Sequence, residues 1–288
     1  MTDPVVADFV TDVVPDTAEW TEPVRGRVVM STDQVVIATA EDRRTIRIAE
    51  IFDVAYGSAP SDLSRFFEDT VSIAYEDGFG RHVALIEGAD ETVSRFTDLL
   101  FKAIINGTEV LVKHPARVGG RVTDESVQTM TVFLRKPQVV FSGADRFHIE
   151  VSTVSNFEKL DREVRGRTRS VLSVRHALDM QEVTSEISLD SGRKMNVLGR
   201  YLRIEYSTLR DQLASIELRD VELEALLGMY SGGDDAKLAG MLGIEPNRVT
   251  MILNGLLEKD LLAESDSGMT LTPLGKMAVN TRIESINT

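Results

Sequence analysis

The sequence predicts an α+β protein: two tandem small β-rich domains, each closed by a helix, then a mainly helical C-terminal unit. Three observations carry this. Short apolar runs alternate with turn residues through the first two thirds of the chain. A pattern of residues then returns one domain length later. Beyond Arg219 the apolar spacing changes from strand-like to helical.

Composition sets the bounds. A chain of 288 residues fits two or three domains. Hydrophobic content of 42% is enough for ordinary cores. No run approaches the roughly 18 apolar residues of a membrane span. The start, Met1-Thr2-Asp3-Pro4, is acidic and unlike a signal peptide, so the expected location is cytoplasmic. With no Cys, disulfides, thiolate metal sites and a Cys nucleophile are excluded. The net charge is −14, and Arg outnumbers Lys 24 to 8. Such a chain resembles proteins of a salt-loaded cytoplasm, where molar salt screens charge within about 3 Å. An acidic mesophilic protein is the alternative.

Residues 1–22 read as an acidic leader. Val5, Val6, Phe9, Val10, Val13 and Val14 fall at helical spacing, and Pro15 would stop that helix. Trp20, the only Trp, follows. A first domain spans 23–118. Arg27-Val28-Val29-Met30 and Val35-Val36-Ile37 flank the turn residues Ser31-Thr32-Asp33. Ile46, Ile48 and Ile51 continue with strand character. Residues 71–75 and 82–86 alternate around Asp77-Gly78-Phe79-Gly80, a hairpin signal. Asp90 then caps a helix with Val93, Phe96, Leu99, Leu100, Ala103 and Ile104 on its apolar face. Gly107 ends it. Asn106-Gly107-Thr108 matches a glycosylation acceptor, but reads as a helix end.

The second domain spans 119–218, with Gly119-Gly120 taken as the boundary. Gln34-Val35-Val36-Ile37 recurs as Gln138-Val139-Val140-Phe141, offset by 104. Ile46, Ile48 and Ile51 recur as Ile149, Val151 and Val154, offset by 103. Residues 171–174 and 186–189 read as strands. Met195, Leu198, Tyr201, Leu202, Glu205 and Leu209 mark the closing helix.

Residues 219–288 read as a winged helix-turn-helix. Helices at 220–230 and 235–242 meet at a turn, and Gly243 follows. A recognition helix opens at Glu245-Pro246, with Pro in the first turn where it is favoured. Residues 261–264 and 269–272 form the wing around Asp266-Ser267-Gly268, and Pro273-Leu274-Gly275 opens a last helix. Winged helices usually read DNA, and DNA affinity rests largely on Lys and Arg at phosphates. This segment has six basic side chains against eleven acidic ones. The exposed face of the recognition helix would carry Asn247, Arg248, Thr250, Met251, Asn254 and Glu258. One Arg with two Asn is a thin phosphate grip. Charge therefore favours a protein contact over DNA.

No enzyme signature appears. His82, His114, His148 and His176 stand apart in sequence, in no metal-ligand spacing. There is no nucleophile elbow, phosphate loop or dinucleotide fingerprint. A non-enzyme without metal or cofactor is expected. The most unusual local charge is in residues 162–176, where Arg162, Arg165, Arg167, Arg169 and Arg175 face only Glu163. Two readings stand: a solvated face neutralised by acids of this chain, or a docking patch using bidentate Arg contacts to carboxylates.

From about Val24 onward the chain resembles the archaeal taxis protein family CheF. Val24-Arg25-Gly26-Arg27-Val28-Val29, the Gln34-Val35-Val36 strand and the winged helix at 220–272 carry the resemblance. It implies a fold of two pleckstrin-homology-like domains before the winged helix. It also implies a non-enzymatic adaptor between the response regulator CheY, the CheC/CheD proteins and the archaellar motor-switch proteins. A winged-helix DNA-binding transcriptional regulator is the alternative. A lipid-binding module is a third reading, opposed by the acidic composition.

Overall fold

The computed structural model describes residues 4–19, 22–58, 69–88, 90–178, 181–233, 235–265 and 268–287. The first unit holds β1 (Val5–Val14), β2 (Val24–Ser31), β3 (Gln34–Ala38), β4 (Arg43–Arg47), β5 (Ile51–Ser58), β6 (Asp69–Asp77), β7 (Gly80–Glu87) and helix α1 (Glu91–Ile105). Its strands form one antiparallel sheet in the order β4-β3-β2-β1-β7-β6-β5.

The second unit repeats this plan. It holds β8 (Thr108–Val118), β9 (Arg121–Val122), β10 (Gln128–Arg135), β11 (Gln138–Ser142), β12 (Arg146–Glu150), β13 (Val154–Val164), β14 (Arg167–Leu178), β15 (Gln181–Ser188) and helix α2 (Gly192–Ala214). The order is β12-β11-β10-β8-β15-β14-β13, with β9 as an extra strand on β8. The residue matches read from the sequence are structural equivalents. Ile46 and Ile149 are the buried positions of β4 and β12. Ile48 and Val151 each open a short 3-10 turn. Ile51 and Val154 begin the strands that follow, and a bulge lies just beyond each.

Two expectations are corrected. Residues 5–14 are a strand, not a helical leader: β1 pairs along β2 and touches β7 at Val13 and Val14. Val is stiff at χ1 and packs well on a pleated surface, so the sheet wins over the spacing. Gly119-Gly120 is no domain boundary. Both residues have positive φ, 54° and 78°, and turn the chain from β8 into β9 within the second sheet. The junction between units is the tight step from α1 into β8. There Asn106 Oδ1 accepts the Leu134 N–H at 2.7 Å, and the Gly107 N–H donates to the Val132 carbonyl. The expectations for Met1 to Asp3, Trp20, Asp266 and Ser267 lie outside the described residues.

The C-terminal unit holds helices α3 (Asp220–Tyr230), α4 (Asp235–Leu242) and α5 (Pro246–Glu258), a hairpin of β16 (Leu262–Ser265) and β17 (Gly268–Leu271), and α6 (Pro273–Asn287). Its core contains Leu226, Leu238, Val249, Leu253 and Leu256. A single separate core runs through both sheet units. Helix α2 joins everything. It packs on α1 and on β5 of the first unit, and Phe101 meets Tyr201 edge-on at 5.5 Å. Arg200 grips Asp53 with two bonds of 3.3 and 3.0 Å. Farther along, Leu209 and Leu213 pack against the C-terminal core. Lys276 on α6 clasps Glu150 at 2.8 and 2.7 Å.

Candidate protein-contact surfaces

The arginine-rich segment forms the β13–β14 hairpin. Val164 faces Arg167 across a two-residue loop of Arg165 and Gly166, whose φ values are 51° and 72°. Positive φ at both loop positions suits the right-handed twist of the strands. Arg162 lies opposite Arg169. Like charges so placed repel, and acids on the next strand, β15, or just after it relieve the repulsion. Arg162 Nε is 3.6 Å from Glu186, Arg175 Nε is 3.9 Å from Glu182, and Arg169 pairs with Asp190. Arg165 donates to the Val127 carbonyl and to Thr129 Oγ1 at 3.2 and 3.0 Å. Among the described residues only Arg167 of the five has no such bond. The neutralising acids lie beyond residue 180, outside the window whose charge looked extreme.

The second surface is the outward face of α5. Asn247, Arg248, Thr250, Met251, Asn254 and Glu258 are all exposed. Val249, Ile252, Leu253 and Leu256 are buried behind them. Met251 is 74% exposed, and Met241 of α4 is 65% exposed, so two large apolar side chains stand in water. Sequence reading missed Met241. Its signal was a Met off the stripe formed by Leu238, Ala239 and Leu242.

The basic groups of this unit are largely engaged. Glu222 on α3 is 1% exposed. It accepts from Arg219 at 2.9 Å and from Lys259 at 2.9 and 3.0 Å. Burial pushes its pKa up, but Arg219, the backbone N–H of residue 219 and Lys259 outweigh that and bring it down to about 2. Lys276 is held by Glu150. Arg248 has no carboxylate partner among the described residues. The phosphate grip is thus thinner than composition suggested.

The histidines are not isolated in space. His114 Nδ1 and His176 Nε2 share the buried Ser185 hydroxyl at 2.7 and 3.0 Å. Burial lowers both pKa values to about 4, so both rings are neutral near pH 7. His114 also stacks on Phe147, with centroids 3.8 Å apart. In the first unit His82 bridges Asp16 at 2.6 Å and Asp77 at 3.2 Å. The bond to Asp16 is the main cause that raises its pKa. These sites are packed inside or against the sheets.

Among the described residues no helix is long and apolar enough to cross a membrane. A sequence model of the family described as Archaeal Chemotaxis signal transduction system protein F matches residues 5–208. That stretch begins at the first residue of β1 and covers both sheet units, which defines an archaeal chemotaxis signal-transduction protein. The chain is similar to Taxis protein CheF2 of Halobacterium salinarum, 49% identical over 287 residues, 100% of this chain and 100% of the relative. It is also similar to Taxis protein CheF1 of that organism, 26% identical over 249 residues, 86% of this chain and 82% of the relative. The chain belongs to the CheF family.

Proposed function

We propose that this protein is a non-enzymatic cytoplasmic adaptor that links the response regulator CheY and the CheC/CheD proteins to the archaellar motor switch. In this reading the two sheet units are pleckstrin-homology-like scaffolds and the C-terminal unit is a winged helix that has become a protein-contact module. The carrying observation is two exposed Met side chains, Met251 on α5 and Met241 on α4, with Arg248 of α5 lacking a carboxylate partner among the described residues. Exposed Met side chains adapt to apolar partner surfaces, whereas a DNA reader needs several free cations. The Arg165–Arg167 loop is a second contact point for an acidic partner, with Arg167 the least engaged cation there.

An adaptor works by differential affinity. Phosphorylation of a partner adds charge and shifts its conformational equilibrium. A protein that binds one state better converts that shift into occupancy elsewhere, and equal affinity for both states would transmit nothing.

Affinity capture of the tagged protein from its own cytoplasm, at native salt, tests this. Expected recovery is a response regulator with motor-switch proteins. Met241→Asp with Met251→Asp should cut recovery of one of these partners at least tenfold. Recovery of specific DNA without those proteins would instead establish a transcriptional regulator. A second capture, with Arg165, Arg167 and Arg169 replaced by Ser, tests the loop, and unchanged recovery removes it from the contact surface.

A further inference from the structure

Strand β13 ends the second sheet. It pairs with β14 on one side, and among the described residues no strand pairs with the other. Such an edge presents alternate N–H and C=O groups outward, ready for another strand. Its distal part, Asp161, Arg162 and Glu163, is exposed and charged, which deters indiscriminate pairing. The proximal part differs.

A cavity of about 350 Å³ lies between the proximal part of β13 and helix α2, reaching Phe52 and Asp53 of β5. Phe157, Glu158 and Lys159 all line it. Successive side chains of a strand point to opposite faces. A space bounded by three in a row therefore reaches the edge of the sheet, while Leu172 of β14 and Met195 of α2 line its inner part. On the helix side the wall includes Gly199. A Cβ there would meet nothing within 4 Å, so this glycine leaves the groove open by a whole side chain.

The charge in the groove is unbalanced. Arg200 is held by Asp53. Lys159 reaches only Asn196 Oδ1, at 3.2 Å, and Arg203 lies over the Phe157 ring at 5.8 Å. Neither has a carboxylate partner among the described residues. Glu158 is exposed at the rim, the one unpaired acid there. The equivalent edge strand of the first unit, β5, is packed against α2. Between α2 and β13 the same helix leaves the cavity.

We propose that this groove binds an extended, acidic segment of a partner protein, which adds as a strand to β13 at residues 157–159, beyond the bulge that follows Val154. An extended chain pairs about 4.8 Å from its neighbour and can use the unpaired backbone groups of β13, whereas a helix satisfies its own backbone groups internally and cannot. Carboxylates of the segment would meet Lys159 and Arg203, and an apolar side chain between them would rest on Phe157. Strand addition supplies affinity through the main chain and specificity through alternate side chains. The proposal deepens the adaptor reading by adding a docking site on the sheet, and rests on that reading only for the nature of the partner.

The test is selection of a random nonapeptide display library on the full-length protein in molar KCl, with the Gly199→Trp protein as parallel target. The expected peptides are free of Pro, carry Asp or Glu at alternate positions, and are enriched at least tenfold on the unmodified protein over Gly199→Trp. Bound peptide should slow hydrogen exchange at residues 157–159. Arg203→Glu, which fills no space, should weaken the same peptides at least fivefold, separating loss of the site from misfolding. No enrichment, equal retention by Gly199→Trp, or exchange protection elsewhere would overturn the proposal. Recovery of chemotaxis partners in the capture experiment would stand regardless, so the two failures are distinguishable.

Discussion

At the scale of single residues, the buried polar groups make the sharpest expectations. His114 and His176 titrate near pH 4 in the folded chain, against about 6.5 unfolded. Their folded pKa values are lowered, so the unfolded state takes up protons first. Stability is unaffected by them above pH 6.5 and falls as pH drops from 6.5 towards 4. His176 contributes up to ~1.4 kcal/mol per pH unit in that window, and the more accessible His114 less. His82 acts in the opposite sense. Its raised pKa stabilises below pH 6.5, and that contribution is lost as pH rises through the folded value. Denaturant titrations of the His176→Phe protein from pH 7 to pH 4.5 should show a flatter loss than the unmodified chain. Equal slopes would mean that the ring is not desolvated. A second expectation concerns Glu222. Glu222→Ala leaves Lys259 without its carboxylate beside the C-terminal core and should cost roughly 3 kcal/mol, read as a lower midpoint in guanidinium. None of this was legible in the sequence. His114 and Ser185 are 71 positions apart, and Glu222 and Lys259 are 37 apart. Each reads alone until a sheet or a helix pair brings its partner.

At the scale of elements, legibility followed how local the determining forces are. Helices α3, α4 and α5 lie where glycines, the first-turn Pro246 and apolar spacing put them, because those signals act within one or two turns. β1 did not. Its six apolar residues fit a helical stripe, yet pairing with β2 and the contact of Phe9 on Phe96 at 5.4 Å decide its form. That pairing is non-local and no window of ten residues contains it. The repeat was legible for the same reason that helices were: buried strand positions recur in register, as Ile46 and Ile149 do. The groove on β13 was not, since it is made by a strand edge and a helix over 30 residues away. Two glycines separate close approach from mere helix position. A Cβ at Gly275 would collide with the Leu261 carbonyl, whereas one at Gly240 meets nothing within 4 Å. Gly275→Ala should therefore destabilise by about 2 kcal/mol through overpacking. Gly240→Ala should stabilise by about 0.5–1 kcal/mol, the helix-propensity gain. Denaturant midpoints shifting in the same direction for both would show that α6 does not press on residue 261.

At the scale of the whole molecule, the chain must hold together a net charge of −14. Two effects of salt compete. Ion pairs such as Arg27–Asp8, Arg200–Asp53 and Lys276–Glu150 are partly exposed, and salt weakens them. Each exposed pair contributes only about 0–1 kcal/mol. The excess of 46 acidic over 32 basic side chains acts everywhere on the surface, and its repulsion reaches about 10 Å at 0.1 M salt but about 3 Å at 1 M. The repulsion is the larger effect, because it sums over the surface while each pair is local and only partly lost. Melting temperature should rise between 0.1 M and 2 M KCl, by about 5 °C or more, equivalent to about 2 kcal/mol for a chain of this size. The junction of α6 with the second unit should respond least, because Asn280 and a packed helix face support Lys276 there. Calorimetry across that range checks both parts. A melting temperature that falls with KCl would mean that the ion pairs dominate and that the acidic surface carries no stability cost. A C-terminal unit that melts separately at 2 M would mean that the Lys276–Glu150 clasp, rather than the packing of α6 and α2, joins it to the sheets.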